Sequence, residues 1–138
     1  MEQTGSNVFV VYLISVFAFI AIDYIWLAKV SPKLYRENIG HLMAEKPNLK
    51  AALLFYAVFL VGLSYFVLWP ALELRSIGNI VIPAVIYGLT TYATFDLTSQ
   101  AVFKKWPRKI TIIDLAWGTL LTLATSVVTY TVATSILS

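Results

Sequence analysis

The chain has no cysteine and a single histidine, His41. Without cysteine there can be no disulfide, no thiolate metal ligand and no thiol nucleophile. Without a second histidine there is no H-x-x-x-H pair, so no metal-ligand set is recognisable and His41 reads as a surface residue. No G-x-S-x-G, P-loop or G-x-G-x-x-G is present. Serine-hydrolase, nucleotide-triphosphatase and dinucleotide readings therefore lack support, and no cofactor is implied. Charge is scarce as well: 12% of the 138 residues are charged, against about a quarter in soluble domains.

Apolar residues fill the space. They make up 59% of the chain, and the mean hydropathy is +0.81. A soluble domain of this length could not hide so much apolar surface. The composition specifies an all-α polytopic membrane protein, and the length fits one domain, residues 1–138. Its net charge of +3 is no nucleic-acid footprint, because the basic residues lie only in short loops between apolar segments.

Four segments approach the roughly 20 residues a spanning helix needs: about 8–29, 49–69, 77–102 and 110–137. They predict a four-transmembrane-helix bundle. The leader "MEQTGSN" lacks a positive n-region, and the apolar run after it is longer than a signal peptide's, so the first span is expected to be retained. Between spans one and two, Ser31-Pro32 reads as an N-cap followed by proline at the first helical position. Tyr35, Ile39, Leu42 and Met43 then fall at near-helical spacing opposite Lys33, Arg36, Glu37 and Lys46. This pattern predicts a short amphipathic helix at the membrane surface over about 32–46, ending before Pro47-Asn48.

Nine of the ten lysines and arginines lie at positions 29–50 and 104–109, and only Arg75 lies on the opposite side. By the positive-inside rule both basic loops face the cytoplasm and both termini face outward. In a bacterium that places the chain in the inner membrane. Tyr24, Trp26 and Trp106 suit the inner aromatic belt and Trp69 the outer one. Pro83 predicts a bend in span three, and Ala84 with Gly88 forms a small-xxx-small pair for close helix contact.

Three aspartates interrupt the apolar segments. Asp23 lies six residues before Lys29, Asp96 eight before Lys104, and Asp114 five after Lys109. At about 1.5 Å per residue each is roughly 8–12 Å from the inner boundary, so three spans place a carboxyl at one depth. Asp114 shares a helix face with Gly118, Thr122, Thr125 and Thr129, which predicts an inward-facing small and polar stripe. "IDYIW" (Ile22–Trp26) and "IDLAW" (Ile113–Trp117) each place a tryptophan one turn after an aspartate. Trp117 is too deep for a belt anchor and reads as a wall of the site. Span two carries no ionisable residue after Lys50, and its Tyr56 reads as scaffold.

An ionisable residue inside a span is a functional-site hypothesis by default. Three level carboxyls would titrate as a coupled set. They could exchange protons or bind a small cation, meet a lipid-like ligand, or pair with Lys29, Lys105, Arg108 and Lys109 at the inner rim. Three functions follow from these alternatives. One is transport of a small solute or ion, with a second copy of the chain enclosing the path. Another is an enzyme acting on a lipid or isoprenoid near the headgroups, with aspartates as acid and base. The third is an accessory subunit of a membrane complex.

"DYIWL" (Asp23–Leu27), "YGLTTYATFDLTSQA" (Tyr87–Ala101), "KKWP" (Lys104–Pro107) and "IIDLAWG" (Ile112–Gly118) resemble an uncharacterised bacterial family of four-span inner-membrane proteins, classed as a domain of unknown function. The resemblance covers nearly the whole chain. It implies the four-span fold and singles out Asp23, Trp26, Tyr92, Asp96, Thr98, Trp106, Asp114, Trp117 and Gly118 as motif positions. Ser99 stands where asparagine often follows "DLT" in that family. No activity comes with the resemblance.

Overall fold

A computed structural model describes residues 4–137, which make four helical passes. The first is α1 (Thr4–Ile25), a π-helical turn (Trp26–Val30) and α2 (Ser31–Ile39), closed by a 3-10 turn (Gly40–Leu42). The second is α3 (Leu49–Leu63), another π-helical turn (Ser64–Leu68) and α4 (Trp69–Glu73). A 3-10 turn (Ile77–Asn79) leads into α5 (Val81–Val102), and α6 (Arg108–Leu137) completes the bundle. All four passes are long and apolar enough to cross a membrane, and no strand occurs among the described residues. A helix closes its backbone hydrogen bonds within itself, as hydrocarbon requires. The outer surface is correspondingly apolar, with Phe17 73% and Val102 75% exposed.

The spine is α6. It packs along α5 and against α1, and it also touches the second π-helical turn and α4. Asp114, Gly118, Thr122, Thr125 and Thr129 all lie on its buried face. Polar residues enter this core because hydroxyls bond back to their own helix. Thr122 Oγ1 donates to the Gly118 carbonyl at 2.6 Å, and Ser126 Oγ to that of Thr122 at 2.7 Å. Small residues let α5 approach closely: a Cβ on Gly88 would stand 2.7 Å from Thr122 Oγ1 and 3.0 Å from the Gly118 carbonyl.

Both π-helical turns precede a proline by the same offset. Pro32 follows the turn Trp26–Val30, and Pro70 follows Ser64–Leu68. A proline inside a helix clashes with the carbonyl four residues back and removes a donor. Here that carbonyl lies within the widened turn, where the Ser31 N–H reaches Trp26 O and the Trp69 N–H reaches Ser64 O. The passes continue through both prolines instead of breaking.

The loop helix differs from the sequence expectation at both its start and its end. The helix expected over 32–46 runs on from span one without a separate start, no side chain caps it, and its α-helical part ends at Ile39. Gly40 has low helix propensity, and Ile39 has left the helical region at φ −131°, ψ 23°. Pro83 falls in the first turn of α5, which begins at Val81, so its missing N–H costs nothing there. Asn48 starts the second pass by accepting from the Ala51 N–H at 3.1 Å.

Substituting Gly88→Ala is expected to cost about 1–3 kcal/mol by overpacking α5 against α6. Gly40→Ala, whose Cβ meets only Arg36 Cγ at 3.7 Å, should change stability by no more than about 0.5 kcal/mol. Denaturation in mixed micelles compares the two, and equal effects would refute the close approach.

Candidate functional site: a buried carboxyl cluster

Each aspartate is carried inward by a different helix. Asp23 ends α1 just before the first π-helical turn, Asp96 lies in the last third of α5, and Asp114 in the second turn of α6. Their exposures are 7%, 1% and 7%. A carboxylate so removed from water needs donors or an opposite charge.

Donors are present for two of the three. Tyr56 Oη donates to Asp23 Oδ2 at 2.8 Å, and Trp117 Nε1 donates to Asp23 Oδ1 at 3.2 Å. Tyr35 Oη donates to Asp114 Oδ1. No lysine or arginine pairs with any of the three among the described residues. The rim pairing with Lys29, Lys105, Arg108 or Lys109 is therefore not what holds these carboxyls.

Asp96 stands apart. Its carboxyl faces that of Asp114 across the α5–α6 contact, yet neither of its oxygens meets a hydrogen-bond donor among the described residues. Two carboxyls form a hydrogen bond only when a proton sits on one of them. Almost all buried polar groups find a partner, so an orphaned pair of oxygens at 1% exposure calls for an explanation.

Aromatic rings wall the cluster. Trp26 stacks on Trp117 with centroids 4.7 Å apart and planes 8° from parallel. The π-helical turn that starts at Trp26 sets that ring's direction. Tyr92 lies against Gly118, whose missing side chain leaves room for the ring; a Cβ there would fall inside it. From that position Tyr92 is within electrostatic reach of all three aspartates. Phe59 meets Tyr92 edge-on at 6.2 Å, and Phe19 meets Tyr56 edge-on at 5.0 Å.

Of the residues singled out from the sequence, Asp96 and Asp114 come together directly. Asp23, Trp26, Trp117, Gly118 and Tyr92 complete one connected site. Thr98 points elsewhere: it is exposed, and its hydroxyl donates to the Thr94 carbonyl of its own helix. No three acidic or histidine side chains converge to hold a metal ion among the described residues.

From the sequence Tyr35 reads as part of the amphipathic helix and Tyr56 as scaffold, whereas in the structure both hydroxyls donate to aspartates. Tyr56 lies six residues after Lys50, the same depth as Asp23 counted from Lys29, so counting tyrosines as well as charges would have found it. Tyr35 had no such signal. Its place on a loop helix conceals a hydrogen bond across 79 residues.

These features define an α-helical membrane protein with a buried carboxyl cluster in one half of its bundle. The chain belongs to the family described as "Predicted membrane protein (DUF2177)", whose model matches residues 8–131. No curated protein and no solved structure matches it.

Tyr56→Phe should lower stability by about 1.5–3 kcal/mol, the range for a hydrogen bond to a charged group. A double-mutant cycle with Asp23→Asn should show coupling, whereas Arg108→Gln should show none with any aspartate. Additive effects at Tyr56 and Asp23 would remove this partnership.

Proposed function

We propose that this protein is a small proton-linked transporter of the bacterial inner membrane, in which Asp96 and Asp114 take up and release the proton. The observation that carries the reading is Asp96, buried to 1% with both oxygens lacking a donor and a second carboxyl in front of it. A proton shared by the pair neutralises Asp96 and joins one of its oxygens to Asp114 without any further residue. Tyr35 donates to Asp114, which makes Asp114 the acceptor member of the pair. Transfer from Asp96 to Asp114 needs only that Tyr35 let go.

Two further features support a path. Thr122, Thr125, Ser126 and Thr129 form a buried line of hydroxyls on α6 leading from Asp114 away from the basic loops. Those of Thr125 and Thr129 have no partner, as does the hydroxyl of Ser64 in the second π-helical turn. Waters need such polar groups to cross an apolar bundle. The nine-to-one distribution of basic residues supports an orientation with the carboxyl cluster in the cytoplasmic half and the hydroxyl line in the outer half.

The test uses infrared difference spectra recorded through a pH titration, with proteoliposomes carrying an internal pH dye. Wild-type protein should show a protonated-carboxyl band that Asp96→Asn removes. After an external acid pulse, Asp96→Asn and Asp114→Asn should acidify the lumen more slowly by on the order of a hundredfold, the scale on which a positioned proton carrier acts. Equal rates in wild type and both variants would overturn the reading.

A further inference from the structure

A groove of ≈ 850 Å³ opens between α2 and the start of α3, within the size range of small-molecule sites. Its walls include Leu27, Met43 and Leu53. These side chains are 47%, 45% and 61% exposed, so the groove opens sideways to whatever surrounds the bundle. Two charges line it, Arg36 and Glu45. The surrounding stretch, residues 29–50, carries five basic residues against two acidic ones, which biases the groove toward an anion.

Tyr35 and Tyr56 also line the groove. They are the phenols that donate to Asp114 and Asp23. A phenol has one O–H and can serve one acceptor at a time. A phosphate oxygen in the groove would compete with Asp114 for the Tyr35 proton, and Asp114 would then need a donor of its own.

We propose that the groove binds an anionic phospholipid from the adjacent leaflet, with its phosphate at Arg36 and its acyl chain along Leu27 and Leu53, and that this lipid is the solute class coupled to the carboxyl pair. The coupling rests on the proton-linked reading; the binding does not. Arg36 supplies a charge-assisted fork for the phosphate. The lipid enters from the side without crossing a polar barrier. Tyr35 is the connection, because its hydroxyl is within the reach of both the lipid and Asp114.

Native mass spectrometry of the protein in neutral detergent tests the binding, with phosphatidylglycerol, phosphatidylcholine and glycerol 3-phosphate as probes. Phosphatidylglycerol should be retained about tenfold more than phosphatidylcholine, and Arg36→Gln should remove that preference. Ala52→Trp, which plugs the groove, should lose the lipid, while Arg75→Gln at the far end should not. Water-soluble glycerol 3-phosphate should fail to bind. Equal retention of both lipids by wild type, an unchanged preference in Arg36→Gln, or binding of glycerol 3-phosphate as strong as that of the lipid would overturn the site. Helicity and monodispersity of each variant separate loss of binding from loss of fold. Asp96→Asn should keep its phosphatidylglycerol. Binding without proton uptake in wild type would sink the transporter reading and spare the groove; proton uptake without lipid preference would do the reverse. Added phosphatidylglycerol should also shift the pH at which the carboxyl band appears in wild type but not in Tyr35→Phe. No shift in wild type would overturn the coupling.

Discussion

The arrangement of this bundle depends on burying carboxyls among apolar helices without a basic residue to meet them. Inserting one aspartate at mid-span costs about 2.5–3.5 kcal/mol on insertion scales, and a hydrogen bond to a charged group returns about 1.5–3 kcal/mol. Asp23, with donors from Tyr56 and Trp117, is therefore close to balance. Asp114 has one phenol. Asp96 has no donor at all, and its cost is offset only if its charge is removed by a proton or met by a cation. The rest of the structure serves this cluster: all four passes must hold register to within a helical turn for the carboxyls and their donors to meet.

The α6 helix enforces that register. A leucine-rich seam would be soft to sliding, because lipid and leucine are equally apolar and the hydrophobic effect gives helices no preferred partner in a bilayer. A seam of Gly88 against Thr122, with Tyr92 resting on Gly118, is specific in shape. It brings backbones close and fixes which turn of α5 faces which turn of α6. The same seam places Asp96 opposite Asp114. Packing and site are thus set by one row of small residues, and a methyl group in the wrong place disturbs both.

Much of this was legible in the sequence. Hydropathy gave the four passes, and counting from the basic residues put the three carboxyls at one depth. The period of Asp114, Gly118, Thr122, Thr125 and Thr129 identified the inward face of α6, all of which is buried. What escaped was the identity of the partners. Charge counting suggested that lysines and arginines would reach inward, whereas neutral tyrosines and a tryptophan supply the donors. A tyrosine inside an apolar segment looks like scaffold because the sequence does not show whether its hydroxyl faces lipid or a carboxyl. Tyr35 was hidden for another reason. Proline after a polar residue resembles a helix start, and only the widened turn at Trp26–Val30 allows span one to run on and carry Tyr35 to Asp114.

The choice of phenols over guanidinium groups has a functional consequence. An arginine paired with Asp114 would fix the carboxylate permanently, because guanidinium does not give up its proton in proteins and an unpaired buried charge is strongly unfavourable. A tyrosine can leave a carboxyl without stranding a charge of its own. What it leaves behind is a carboxylate that must find another donor, and the neighbouring Asp96 can supply one when it carries a proton. The π-helical turns strengthen this reasoning. The first lies between Asp23 and Pro32, on the element that carries Tyr35, and a turn with widened hydrogen bonding is a place where a helix can re-aim its end with little loss of backbone bonding. A small rotation of α2 would move Tyr35 from Asp114 while α5 and α6 keep their register.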